Sequence, residues 1–127
     1  MSLRTPLGRA RGLGSAKHGT EHWWAQRLTA LALVPLSLWF VIALIANVGA
    51  DHAAMLAWVG HPVTAVLLVL LAVTTFHHAQ LGVQVVIEDY VHTEWLKLAS
   101  LIAVRGAAIV LGLAVVFSVL KIAFGGA

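Results

Sequence analysis

Cysteine is absent from this chain of 127 residues. Without thiolates it builds no iron–sulfur cluster of its own, closes no disulfide and has no thiol nucleophile. Charge is almost as scarce. Asp, Glu, Lys and Arg make up 10% of the residues, where a soluble domain carries about a quarter. Hydrophobic residues reach 61% and the mean hydropathy is +0.94, which points to a membrane protein too short for several domains. The formal net charge of +3 is concentrated near the N-terminus, a pattern that bears on topology more than on nucleic-acid binding. Also missing is an apolar stretch ahead of a small-residue cleavage site, so no removable signal peptide is expected.

What is present falls into a tail and three apolar runs. Residues 1–26, MSLRTPLGRARGLGSAKHGTEHWWAQ, are polar and basic. Their early Gly, Pro, Ser and Arg predict little regular structure. The arginines and few acids resemble a transit peptide, but the segment is short and runs directly into the first apolar run, so a mature cytoplasmic tail is expected. The runs cover residues 28–48, about 61–87 and about 98–124. Each is long enough for a helix to cross roughly 30 Å of hydrocarbon at about 1.5 Å per residue. Pro35 would kink the first helix, and Pro62 suits the first turn of the second. The expectation is one all-α membrane domain over residues 1–127 with three transmembrane helices.

Lysine and arginine set the orientation. Arg4, Arg9, Arg11, Lys17 and Arg27 precede or open the first span, residues 49–60 hold neither type, and Lys97 and Arg105 follow the second span. The positive-inside rule then places the N-terminus in the cytoplasm and the C-terminus in the periplasm. Lys121 dissents and is read as snorkelling to the outer interface. Trp23, Trp24 and Trp95 fit an inner aromatic belt and Trp58 an outer one.

The stretch HHAQLGVQVVIEDYVH, residues 77–92, carries ionisable groups into the second run, where such groups mark function. Adjacent helical residues diverge by about 100°, so His77 and His78 cannot face one iron together. No other histidine in the chain is placed to bracket a haem with either. A haem with two histidine ligands would therefore take its second from another subunit. Plainer readings are a histidine bonded to a neighbouring helix, Tyr90 as an interface aromatic, and Asp89 as a solvated helix-end charge. By helical arithmetic His78, Gly82 and Asp89 share one face, while His77 pairs with Glu88 on another. Gly82 lets a backbone or flat ring come close. Glu21, His22, His92 and Glu94 read as interface or loop residues, and Arg105 as a snorkelling residue or, with a haem present, a propionate contact.

His78, Ala79, Gly82, Asp89 and Tyr90, in the order H-A-x-x-G-x-x-x-x-x-x-D-Y, together with EDYVH at Glu88–His92, resemble the small hydrophobic membrane anchor of succinate dehydrogenase, alphaproteobacterial type. GTEHWWAQRLTALAL with Arg27 is similar to the same family, and the likeness runs from Gly14 to Lys97. The third run matches in length and hydrophobicity only. The resemblance implies an anchor subunit of a succinate:ubiquinone oxidoreductase (complex II) in a bacterial inner membrane, serving the tricarboxylic acid cycle and electron transport. It implies His78 as an axial ligand of a haem b shared with a larger cytochrome b anchor subunit. It implies Tyr90 as a hydrogen-bond donor to ubiquinone, Asp89 as the acid supporting that site, and Arg27 near the haem propionates and quinone. The remaining partners it implies are an iron–sulfur subunit and a flavoprotein subunit, with the anchor non-catalytic alone. A fumarate reductase anchor and a cofactor-free structural membrane protein are the alternatives.

Overall fold

A computed structural model describes residues 5–10 and 17–125, and every regular element among them is helical. Of the basic tail, Arg4 and Arg11 lie outside the described residues. The elements are α1 (Pro6–Ala10), α2 (Lys17–Ala46), α3 (His52–Gly60), α4 (Pro62–Tyr90) and α5 (Glu94–Ala123). Three stretches are long and apolar enough to cross a membrane: Gly19–Ala46, Pro62–Tyr90 and Glu94–Ala123.

All three long helices outrun their apolar cores. A 30-residue helix is about 45 Å long, against about 30 Å of hydrocarbon. Once the apolar turns exist, each further residue adds a backbone hydrogen bond at little extra entropy cost. The polar flanks therefore join in: GTEHWWAQ is part of α2, and Glu88, Asp89 and Tyr90 form the last turn of α4. What reads in sequence as a connection over residues 88–97 shrinks to Val91, His92 and Thr93, and Glu94 opens α5 with Lys97 Nζ 3.9 Å from its carboxylate. Pro35 lies inside α2, which is assigned as one helix across it. Pro62 takes the first turn of α4, where its missing N–H is no loss, and the His61 ring accepts from the Val63 N–H at 3.3 Å.

The first connection holds an element that periodicity did not announce. Asp51 is an N-cap whose carboxylate accepts the Ala54 N–H at 2.8 Å, starting α3. Gly49, at φ 85°, makes the turn that precedes it. Trp58 on α3 stacks on Trp39 of α2, with ring centroids 6.4 Å apart at 28°. Gly60 comes so near α5 that a Cβ built there would lie 3.4 Å from the Ile122 carbonyl. The short helix therefore closes one end of the molecule by touching α4 and α5.

The three spans form an open layer rather than a closed bundle. α4 is central, α2 packs on one side of it and α5 on another, and α2 makes no direct packing with α5 among the described residues. The buried positions reflect this. Thr64, Ala65, Ala72, Gln80, Leu81 and Ile87 all belong to α4, with Val119 of α5 the one other among the described residues. Large apolar side chains such as Leu31, Val34 and Leu38 on α2 and Ile102, Ile109 and Leu113 on α5 face outward. In hydrocarbon this carries no hydrophobic penalty, and contact between helices rests on close packing and polar contacts.

Candidate functional site in the α2–α4 interface

α4 brings His78 against α2. His78 Nδ1 lies 2.9 Å from the hydroxyl of Thr29. That hydroxyl is also 2.7 Å from the Ala25 carbonyl and 3.1 Å from the Gln26 carbonyl, the back-bonding pattern open to threonine in a helix. A hydroxyl has one proton to donate. With carbonyls taking that proton, Thr29 accepts from the imidazole, so the proton of neutral His78 is assigned to Nδ1 and the lone pair to Nε2. One turn on, Gly82 opens the same face: a Cβ there would lie 3.9 Å from the Gln26 amide nitrogen. Larger side chains at 82 would press on Gln26, whose Oε1 is buried without a partner in the structure.

Asp89 and Tyr90 complete the face at the helix end. Both are exposed, Tyr90 at 77%. They lie on the side of the layer where α2 begins and α5 begins, about 16 Å from His78 along the axis. Exposure at a helix end beside a three-residue turn leaves the phenol free to donate. Arg27 sits on the same side in α2 with its guanidinium over the Trp23 ring, 5.3 Å from the centroid, a cation–π contact. Trp23 in turn meets Trp24 edge-on at 4.9 Å.

His77 diverges from His78 as the helical angle requires. It lines the groove between α4 and α5 together with Arg105 and Gln80. Below it, Gln80 Nε2 donates to Gln84 Oε1 at 3.1 Å, and Gln84 Nε2 donates to Glu88 Oε1 at 3.0 Å. Glu21 and His22 of α2 and Arg105 of α5 line a single cleft, and His22 Nε2 is buried without a partner. The i, i+4 spacing of Gln80, Gln84 and Glu88 was the available signal for the ladder. Thr29 carried no signal, because its role depends on which α4 residue meets it. Among the described residues, no three His, Cys, Asp or Glu side chains gather into a metal site.

Residues 1–120 match the family model for the succinate dehydrogenase/fumarate reductase transmembrane subunit. The chain is 38% identical over 103 residues to the succinate dehydrogenase hydrophobic membrane anchor subunit of Rickettsia bellii, covering 81% of this chain and 82% of that one. It is 36% identical over 90 residues to the protein of that name from Paracoccus denitrificans, covering 71% and 70%. Identity to the succinate dehydrogenase membrane anchor subunit of Reclinomonas americana is 32% over 98 residues, covering 73% and 80%. No solved structure matches. With nearly its whole length matched, the chain belongs to the succinate dehydrogenase/fumarate reductase transmembrane subunit family.

Proposed function

We propose that this protein is the small hydrophobic membrane anchor of a succinate:ubiquinone oxidoreductase, a multi-pass protein of the bacterial inner membrane. It tethers the flavoprotein and iron–sulfur subunits, and its lack of cysteine leaves iron–sulfur chemistry to them. The basic residues grouped on the side where α2 starts support a cytoplasmic N-terminus and a periplasmic C-terminus.

The observation that carries the site is the Thr29–His78 contact. A haem iron takes a neutral imidazole through a nitrogen lone pair, and its other ring nitrogen donates to a fixed acceptor. His78 meets both requirements: Nδ1 is committed to Thr29, and Nε2 carries the lone pair. The residues thus fit haem b: His78 would ligate its iron through Nε2, and a larger cytochrome b subunit would supply the second ligand. When bound, the haem would supply a one-electron carrier beside α4. Gly82 keeps the face beside it free of a side chain. Arg27 is a cation available to a propionate on the side where α2 starts.

Tyr90 and Asp89 act on ubiquinone at the membrane edge. The Tyr90 phenol donates to a quinone carbonyl oxygen, stabilising negative charge as electrons arrive from the iron–sulfur subunit. Asp89 orients water and passes protons to the reduced oxygen. Two electrons and two protons convert the quinone to quinol.

Purification of the tagged chain from native membranes in mild detergent tests the reading. The expected result is co-purification of a flavoprotein and an iron–sulfur subunit with a b-type haem in the reduced-minus-oxidised spectrum. A haem signal that survives His78→Ala in the assembled complex overturns the ligand assignment. Recovery of the chain without those partners overturns the anchor function.

A further inference from the structure

Neither the haem face nor the quinone station uses the open cleft of about 560 Å³ lined by α2, α4 and α5. Its walls carry His22 from α2, His77, Gln80, Gln84 and Glu88 from α4, and Arg105 from α5. His77 lies about 16 Å from Glu88 along α4, and Arg105 about 16 Å from Glu94 along α5. The inner end of the cavity is therefore near the middle of the hydrocarbon, where unsatisfied polar groups and unpaired charges are strongly disfavoured. Yet polar side chains recur along its depth, interspersed with Ala25, Leu81 and Val85. The Gln80–Gln84–Glu88 ladder runs down one wall, with Gln80 only 9% exposed. His22 Nε2 is buried with no partner in the structure. Residues Gly19 and Glu21, from the first turns of α2, stand at the outer end.

We propose that this cleft is a water-filled inlet that opens on the membrane face bearing the N-terminus and ends at His77 and Arg105. Water is the occupant the lining selects. An anion would meet the carboxylates of Glu21 and Glu88, and a metal cation would meet Arg105. An acyl chain would leave His22 Nε2 and the Arg105 guanidinium facing hydrocarbon. Each buried water makes about three hydrogen bonds, and His22, Arg105 and the remaining lone pairs of the Gln–Glu ladder offer donors and acceptors around a space large enough for several. The inlet also gives the Arg105 guanidinium an aqueous setting at a depth from which its side chain need not reach the surface. The inference depends on the membrane embedding of the three spans and stands independently of the haem and quinone assignments.

Thiol reactivity tests it, because methanethiosulfonates react through the thiolate, which forms in water and not in hydrocarbon. The chain has no cysteine, so single substitutions report without background from this subunit. In native membranes carrying the assembled protein, Gln84→Cys and Gln80→Cys should be modified at least tenfold faster than Val83→Cys. Val83 lies between them in depth but outside the cavity lining. The reagent must act from the face bearing the N-terminus. Equal, slow modification at all three positions overturns the proposal. Water-edited solid-state NMR on the unsubstituted protein decides the matter if a variant fails to assemble: rapid transfer of water magnetisation to the Gln80 and Gln84 side-chain amides is expected. Amides as slow as the lipid-facing valines overturn the proposal.

Discussion

Thr29 sits within LTALAL, where nothing in the letters separates it from its apolar neighbours. Its hydroxyl nevertheless lies 2.9 Å from His78 Nδ1 while two α2 carbonyls stand ready to accept its proton, and on that basis the imidazole proton is assigned to Nδ1. Thr29→Val keeps the shape and removes the acceptor. Haem retention in the assembled complex should fall by about tenfold, with an altered reduction potential, and Thr29→Ser should restore both. An unchanged haem content and potential in Thr29→Val would show that the contact is structural only. Tyr90 is the chain's single tyrosine, so its ring signal is assignable without further labelling. Tyr90→Phe removes the phenolic donor with little change in bulk. Quinone reduction should drop by about 10–100-fold, while succinate oxidation by an artificial acceptor is spared. Equal loss in both assays would point to failed assembly, and full quinone activity would remove Tyr90 from the site.

Elements meet here through small residues. On α5, a Cβ at Gly112 would lie 3.6 Å from the Phe76 ring of α4, an ordinary contact distance. Gly112→Ala should therefore be tolerated. Gly112→Leu would force Phe76 aside and cost about 1–3 kcal/mol, read as a lower midpoint for thermal unfolding of the purified complex. A midpoint equal to that of Gly112→Ala would mean that α5 shifts freely on α4. Gly60 has the same function for α3, whose backbone approaches the Ile122 carbonyl. The three spans were legible as runs of apolar residues, because hydrocarbon selects for length and hydropathy and both are sums over sequence. α3 was not, because it is a short helix whose start rests on the Asp51 cap. Its seat is made by Trp39 and Ile122, residues distant in sequence.

At the scale of the molecule, among the described residues α2 is held to the other spans by α4 alone and carries no buried residue in its membrane window. Such an open layer leaves one flank of α2 and one of α5 for lipid or another subunit. The half-site at His78 requires that subunit on the proposed function. Deleting the larger anchor subunit should lower the steady-state level of this chain several-fold in membranes and expose the α2–α3 connection to protease. An unchanged level and digestion pattern would show that the layer is stable by itself.

The sequence alone determined the class of molecule, the three spans and their order. It also determined that His77 and His78 diverge and that His78, Gly82 and Asp89 share a face. These follow from composition and from the fixed angle and rise of the α-helix. Only the tertiary structure decided that His78 faces Thr29, that His77 turns toward Arg105, and that the glutamines between them line a cavity with His22. Those outcomes depend on the rotation and depth at which one helix docks against the next. Docking is set by close packing around side chains such as Gly82, Gly112 and Phe76, which are dispersed along the chain and become neighbours only when it folds.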